Sequence, residues 1–544
     1  MHDWQNRLSK LKSILAMERN RVIESIRRRG TFRGEFLACK SNIGVIRTRK
    51  VLPLGTLLGV AEGDDISELG YVIASGRYTL LKLISKPDEK ELNLVELESL
   101  ISYDLQIQAI EMAIENSSLP EVTSKSVDGK VEGLDEWQSS AVLTSLELED
   151  NEVLLVVGPP GTGKTTFISK AAKLASSSGS RVLITSHTNR AVDNVIERQE
   201  KAVRVGNPSK LSPAVLKFSL ERMASKAVED EENASDAEEL AELTARKARK
   251  IEREMLRIVN DAVIVGATLI KCALFPMADQ DFDIVFIDEA SQALISAALL
   301  GMERGRKYVL VGDPYQLPPV LSTDASAYSA FNFFHDWARR AIWLRNHYRS
   351  NSEIIGFVAK HVYGHRIRPH ESCKNVKLEI IPEGKFAEII DPGRPIVFVS
   401  ACGREEGKGS KLNEVEARVV VEICRELVSN GVNVEDIGII TPYVRQRKLI
   451  SEMINRIGLN TVEVNTVDAF QGREKDVIIF STTAVKDLRF ASDFRRFNVA
   501  LTRARKKFIV IGNEKAFRVS SNRATLLYSL YMHARSRGSY FKLM

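Results

Sequence analysis

Eight residues carry the clearest chemistry. Gly158 to Thr165 read GPPGTGKT, after the apolar run VLLVV and before the helix-like TTFISKAA. This is a phosphate-wrapping loop set between a strand and a helix. Gly158, Pro159, Pro160, Gly161, Thr162 and Gly163 would bend the backbone around phosphates, with Thr165 and Thr166 opening the helix. Lys164 would place a point charge on the β- and γ-phosphates, and the Thr165 hydroxyl is a Mg²⁺ ligand. Farther on, DIVFIDEASQA ends an apolar run in Asp288 and Glu289. Asp288 would hold the same Mg²⁺, directly or through water, and Glu289 would orient and deprotonate an attacking water. A third run, KYVLVGDPYQLPPV, carries Gln316, an amide able to sense a γ-phosphate and its water.

These loops need a scaffold of strands, each ending where a loop begins. From residue 134 onward, VLLVV, RVLITS, AVIVGA, DIVFID and KYVLVG are short buried-strand runs followed by loop chemistry. After about residue 325 a second series follows: PIVFVS, IGIITP, VEVNTV, DVIIFS and FIVIG. This is the α/β parallel-sheet pattern, and two such lobes imply a cleft between them. Expected domains are a helix over 1–30, a small β-barrel over 31–95, a helix and linker over 96–133, a first lobe over 134–325 and a second over 326–544. Trp4, Leu8, Leu11, Leu15, Ile23 and Ile26 give the first helix its apolar stripe, and Gly30 is placed to end it. Residues of about 208–258, rich in Ala, Glu and Arg, read as a helical insertion in the first lobe.

The 544 residues, 44% hydrophobic and 27% charged, fit globular chemistry, and no apolar run approaches the ~18–20 residues of a membrane span. Five scattered cysteines include no CxxC pair, which fits a reducing compartment without a disulfide framework. His361, His365, His370 and Cys373 match no common zinc spacing, so neither zinc nor membrane is expected as a partner. The first 50 residues carry a net +9 and the rest a net −3. The run Arg27-Arg28-Arg29 is either a solvated helix end or a contact for a polyanion such as nucleic acid.

GPPGTGKT, DEASQA and GDPYQLPPV, in that order, resemble the motifs of a superfamily 1 helicase. DEASQ is most similar to the nonsense-mediated-decay, UPF-like branch with its immunoglobulin-mu-binding relatives. LDEWQSSAV, ITSHTNRAVDNV, LRNHYRSNSEI, VNTVDAFQGREKDVII and RRFNVALTRARKKFIVIGN extend the resemblance from about 134 to 513. It implies two tandem RecA-like domains, ATP and Mg²⁺ as cofactors, and single-stranded DNA or RNA as partner, tracked 5′→3′. It makes Gln138 the adenine reader, Tyr348 a packing surface for adenine, and Gly472 and Glu474 ribose-side residues. Arg349 and Arg503 become the arginines that meet the transferring phosphoryl group once the cleft closes. It places nucleic-acid contacts at Ser186, Thr188, Asn189, Thr268, Thr441, Pro442, Tyr443 and Thr466, the small polar types that suit a backbone-tracking groove.

The branch's cysteine/histidine-rich, iron–sulfur and nuclease modules are not expected in this chain, which reads as a monomeric helicase core acting in the cytoplasm, or in the nucleus of a eukaryote. A translocase that unwinds duplexes and a nucleic-acid clamp or remodeller that unwinds little would need the same ATP site. A nucleotide switch without nucleic acid would leave the second-lobe motifs without purpose.

Overall fold

The computed structural model describes residues 3–543 except 29, 54, 64, 77, 98–99, 228–235 and 524. Arg29 and part of the expected insertion therefore lie outside the described residues. Helix α1 (Asp3–Arg27) leads into six antiparallel strands, β1 (Phe32–Lys40), β2 (Ile43–Thr48), β3 (Leu57–Glu62), β4 (Asp65–Ser75), β5 (Thr79–Leu83) and β6 (Glu91–Leu97). They close into a barrel in the order β1-β2-β5-β4-β3-β6. Helix α2 (Ile101–Glu115) follows.

α1 is a strut with two ends. Trp4, Leu8, Leu11 and Leu15 share the core of the first lobe with Ala109 and Ile110 of α2. Ile26 and Val22, at the other end, pack on Leu57, Val95 and Leu97 of the barrel. An Arg19–Asp104 ion pair at 2.6 Å ties α1 to α2, and Ser296 Oγ donates to Gln106 Oε1 at 2.8 Å, tying α2 to the first lobe. The apolar stripe thus serves two partners, which accounts for a helix of 25 residues.

The first lobe is built on a parallel sheet. Its order is Val203–Val205, Ile264–Thr268, Val182–Ser186, Phe282–Asp288, Gly305–Gly312, Glu152–Val157 and Ile342–Trp343, with Glu121–Val122 also beside Glu152–Val157. The second sheet, also parallel, runs Glu463–Thr466, Ile437–Thr441, Lys475–Ser481, Ala504–Gly512, Ile396–Ala401 and Tyr540–Leu543. The fold is α/β with two parallel-sheet lobes and an N-terminal barrel. Among the described residues no helix is long and apolar enough to cross a membrane.

The segment just past the boundary expected at 325 packs on the first lobe. Phe331, Phe333 and Phe334 of the helix Ala330–Ala338 lie in the first lobe's core, and Ile342 and Trp343 pair with Val156 and Val157. Burying three phenylalanines and covering a strand edge keeps this segment on the first lobe. The expected linker likewise contributes Glu121 and Val122 to that sheet. In the insertion, the helix Ala237–Asp261 buries Ala241 against Ala38 and Val45 of the barrel, and Lys82 meets Glu252 at 2.5 Å. The barrel is thus held between α1 and this helix.

Candidate functional site

In parallel sheets, ligands gather at the carboxyl ends of the strands. Here those ends form a cleft of about 680 Å³, within the usual size of ligand pockets. The first lobe lines it with Pro159 to Gly161, Gly163 to Thr166, Asp288, Glu289 and Gln316, and the second with Tyr348, Arg349, Gly472, Glu474 and Arg503.

The loop after Val157 takes positive φ at Gly161 (73°) and Gly163 (84°). A Cβ at Gly161 would strike the His347 ring, and one at Gly163 the Gln138 amide, so both positions need glycine for space as well as for φ. Lys164 Nζ donates to the Gly158 carbonyl at 2.9 Å and lies 3.8 Å from Glu289 Oε1. The three threonines separate by role. Thr162 Oγ1 donates to the Pro159 carbonyl at 2.7 Å, and Thr166 Oγ1 accepts from Arg198 at 2.9 Å. Thr165 lines the cleft, as Asp288 does, and its hydroxyl has no such bond among the described contacts. Its hydroxyl and the Asp288 carboxylate are hard oxygen donors, so the residues fit Mg²⁺. Burial, reinforced by the Glu289 carboxylate, pushes Asp288 above the usual carboxylate range, as at a carboxylate built to meet a cation. The glycine cradle and the positions of Lys164 and Gln316 fit a nucleotide triphosphate.

From the second lobe come two differently held arginines. Arg349 forms an ion pair with Glu474 and donates to the Thr502 carbonyl at 3.1 Å. Arg503 has no ion pair among the described residues and donates to the carbonyls of Val499 at 3.1 Å and Arg473 at 3.4 Å and to the Thr502 hydroxyl at 3.4 Å. Burial, then the like charge of Arg349, brings it down to about 10, which leaves it cationic at neutral pH. Arg505, half exposed and 3.7 Å from Asp476, does not line the cleft.

Three residues expected at the nucleotide make other contacts in this structure. Gln138 does not line the cleft. It completes a capping box with Asp135 and donates from Nε2 to the Thr162 carbonyl at 3.0 Å, so both ends of its amide are engaged in holding the loop. Glu474 is the counter-ion of Arg349. Tyr348 lines the cleft, its hydroxyl donating to Asp135 Oδ2 at 2.6 Å and its ring 4.7 Å from that of His370.

The eight expected nucleic-acid contacts sit near the strand ends but are not equally accessible. Ser186 and Thr268 are neighbours on adjacent strands, as are Thr441 and Thr466. Ser186 and Thr441 are fully buried, and Thr441 Oγ1 bonds the Thr483 hydroxyl at 3.1 Å, so neither side chain meets a strand in this arrangement. Pro442 and Tyr443 are also buried, though both line a separate pocket with Phe490. Asn189 accepts from Arg204 at 2.8 Å, and Thr188 is the exposed N-cap of the helix Asn189–Ile196, its hydroxyl accepting from Ala191. Those with described bonds hold the ends of their own loops.

Sequence reading missed several residues that shape the site. Arg204 and Asp193 form a fully buried pair at 2.7 Å behind the helix Asn189–Ile196. Asp135 gathers Tyr348, Asn346 and Gln138. His347 accepts from the Ser350 N–H through Nε2 at 2.8 Å, so its proton lies on Nδ1, which donates to the Pro160 carbonyl at 2.7 Å. Its place beside Tyr348 in LRNHYRS was the available signal. Cys373 and His370, once weighed as metal ligands, instead bond the His347 carbonyl and cap a short turn.

Burial holds His347 down to about 3, against an ordinary value near 6.5. Between those values the unfolded chain takes up a proton that the folded protein refuses. His347 thus contributes stability above pH 6.5 that is lost as pH falls toward 3. His347→Asn is expected to flatten the fall of the urea midpoint between pH 6.5 and 4, and an unchanged slope would show that this histidine does not report acid stability.

A loop for phosphates and an acid pair on one parallel-sheet lobe, facing arginines from another, define a two-lobe P-loop NTPase. One AAA-domain model matches residues 133–255 and 227–324, and a second matches 327–515. The Xenopus laevis protein named DNA replication ATP-dependent helicase/nuclease DNA2 is 31% identical over 432 residues, 73% of this chain and 39% of that protein. Its Homo sapiens counterpart is 30% identical over 431 residues, 73% of this chain and 38% of that protein. An uncharacterized ATP-dependent helicase of Methanocaldococcus jannaschii is 28% identical over 455 residues, 70% of this chain and 68% of that one. The chain belongs to the UPF-like superfamily 1 helicases, a family of ATP hydrolases that use Mg²⁺. It spans about two fifths of the length of the DNA2 relatives. A solved arterivirus helicase, nonstructural protein 10, aligns over 89% of this chain and 78% of its own at 13% identity and a TM-score of 0.36.

Proposed function

We propose that this protein is an ATP-driven translocase that moves 5′→3′ along single-stranded DNA or RNA and unwinds duplexes ahead of it. The observation that carries the reading is the shared cleft, where loop and acids from one lobe meet Arg349 and Arg503 from the other. Opening and closing of that cleft would change the spacing of the two strand-tracking edges once per ATP. Thr165 and Asp288 would hold Mg²⁺, which would supply neutralisation of the phosphate charge. Glu289 takes the proton of the attacking water, Gln316 orients that water, and Lys164 and Arg503 meet the charge on the phosphoryl oxygens. The DNA2 relatives are named for DNA replication, which favours DNA as the track. The same reading has it act as a monomer, in the cytoplasm or a nucleus.

Matched DNA and RNA oligonucleotides should both be assayed for ATPase stimulation, followed by strand displacement on a duplex with a 5′ tail. Stimulation without displacement would favour the second reading, an ATP-regulated clamp or remodeller. The seating of the barrel between α1 and the insertion helix supports that alternative. ATPase indifferent to single strands would sink both.

Neutralising Arg27, Arg28 and Arg29 to Gln tests whether the basic N-terminus touches the strand. The plot of log affinity against log salt should become shallower by up to about 2 for three lost phosphate contacts on a single strand. An unchanged slope and affinity would mark the run as a solvated helix end.

A further inference from the structure

The segment KHVYGHRI lies outside the motifs assigned above, yet its tyrosine bridges the two lobes. Tyr363 is buried in the core of the second lobe, and its hydroxyl donates to Asp313 Oδ2 of the first lobe at 2.6 Å. Asp313 is itself fully buried, at the end of the strand Gly305–Gly312. It has no cationic partner among the described ion pairs. Its carboxylate is satisfied by three donors: Tyr363, the Tyr315 N–H at 3.0 Å and Gln316 Nε2 at 3.0 Å. Tyr363 and Gln316 share one oxygen, Oδ2.

The pair is wired at both ends. Asp313 N–H donates to Ser291 Oγ at 3.1 Å, two residues beyond Glu289. On the other side, Asn498 Nδ2 donates to the Tyr363 hydroxyl at 3.4 Å and to the Tyr315 carbonyl at 3.0 Å. Asn498 lies on the helix Phe494–Thr502, whose Val499 carbonyl and Thr502 hydroxyl hold Arg503. Asn498 Oδ1 is buried without a partner, so the network has an acceptor in reserve.

We infer that Tyr363 is a positioning residue that lets Gln316 leave Asp313 for the phosphate, and that it reports this exchange across the cleft to the helix carrying Arg503. The physical basis is the shared oxygen. A buried carboxylate that loses a donor pays for its desolvation unless another donor remains. With Tyr363 on Oδ2, Gln316 can turn toward the γ-phosphate without stripping that oxygen. Without the phenol, Gln316 is the only side-chain donor left and is locked in place. An ordinary core tyrosine would need its ring here, whereas this role needs only the hydroxyl.

The inference rests on the ATPase reading above, so the wild-type protein is the first control. Steady-state ATPase with saturating single-stranded DNA should be measured for wild type, Tyr363→Phe, Gln316→Ala and the double variant. Tyr363→Phe keeps the ring in the core. Its kcat is expected to fall about 10- to 100-fold, as for the loss of a hydrogen bond to a charged group, with KM for ATP within about twofold. In the Gln316→Ala background the same change should have little further effect, because both act through one step. A Tyr363→Phe kcat near wild type, losses that multiply in the double variant, or a KM that rises with the loss would overturn the inference while leaving the ATPase reading intact. A wild-type protein inert toward ATP would instead overturn the function reading, and this inference with it.

Discussion

Lys164→Ala and Glu289→Gln are expected to abolish turnover alike and to part company in nucleotide binding. Lys164 is the charge nearest the loop that wraps the phosphates, its amine now held 2.9 Å from the Gly158 carbonyl. Removing it leaves phosphate charge uncompensated in the ground state, so ATP affinity itself should fall. Glu289 contributes differently. Its carboxylate accepts from Gln292 Nε2 at 2.8 Å and faces Lys164 at 3.8 Å, placing an acceptor on the cleft side of the loop. Glutamine keeps the shape and loses the base, so ATP should still bind and the closed, nucleic-acid-bound form should accumulate. Equilibrium binding of a fluorescent ATP analogue alongside single-turnover hydrolysis separates the two. Equal loss of binding in both variants would mean that Glu289 is part of the binding surface and that its role as base is misassigned.

The parts legible in the sequence share a property: each is a chemically unusual residue at the end of a short apolar run. Gly161 and Gly163 are required by positive φ, and Asp288 and Glu289 terminate a strand, so local spacing was enough to set them in one cleft. The α/β class followed from the same runs. What escaped depends on contacts distant in sequence. Ile342–Trp343 and Glu121–Val122 are two-residue strands, too short to show alternation, and exist because they cover the edge beside Glu152–Val157. The resemblance makes Gln138 the adenine reader, while its amide nitrogen donates to a loop carbonyl 24 residues later in the chain. Nothing in the spacing around Arg204 marks it, and only folding places it against Asp193. The Arg349–Glu474 pair joins residues 125 apart, and no periodicity reports it.

That last pairing makes the two cleft arginines unequal, and the inequality has a measurable consequence. Arg349 already has a carboxylate, so its charge is largely answered before any phosphate arrives. Arg503 is 4% exposed and held by two carbonyls and a hydroxyl, and burial lowers it to about 10 without neutralising it. A buried cation with no counter-ion is destabilising unless something anionic comes to it. In this cleft the charge that grows during reaction sits on the γ-phosphoryl oxygens, so Arg503 interacts most strongly in the transition state. Arg503→Ala is therefore expected to leave ATP affinity within about tenfold and to cut hydrolysis by roughly 10³ or more, the scale of an arginine finger. Arg503→Lys should recover little, since one ammonium cannot hold the Val499 and Arg473 carbonyls and still have donors to spare for a phosphoryl group. Arg503→Ala should unfold at a midpoint close to that of wild type, because removing a buried charge that has no ion-pair partner among the described residues offsets the lost carbonyl contacts. Near-normal turnover in Arg503→Ala would transfer the role to Arg349, and Glu474 would then be the group that must release it on each cycle.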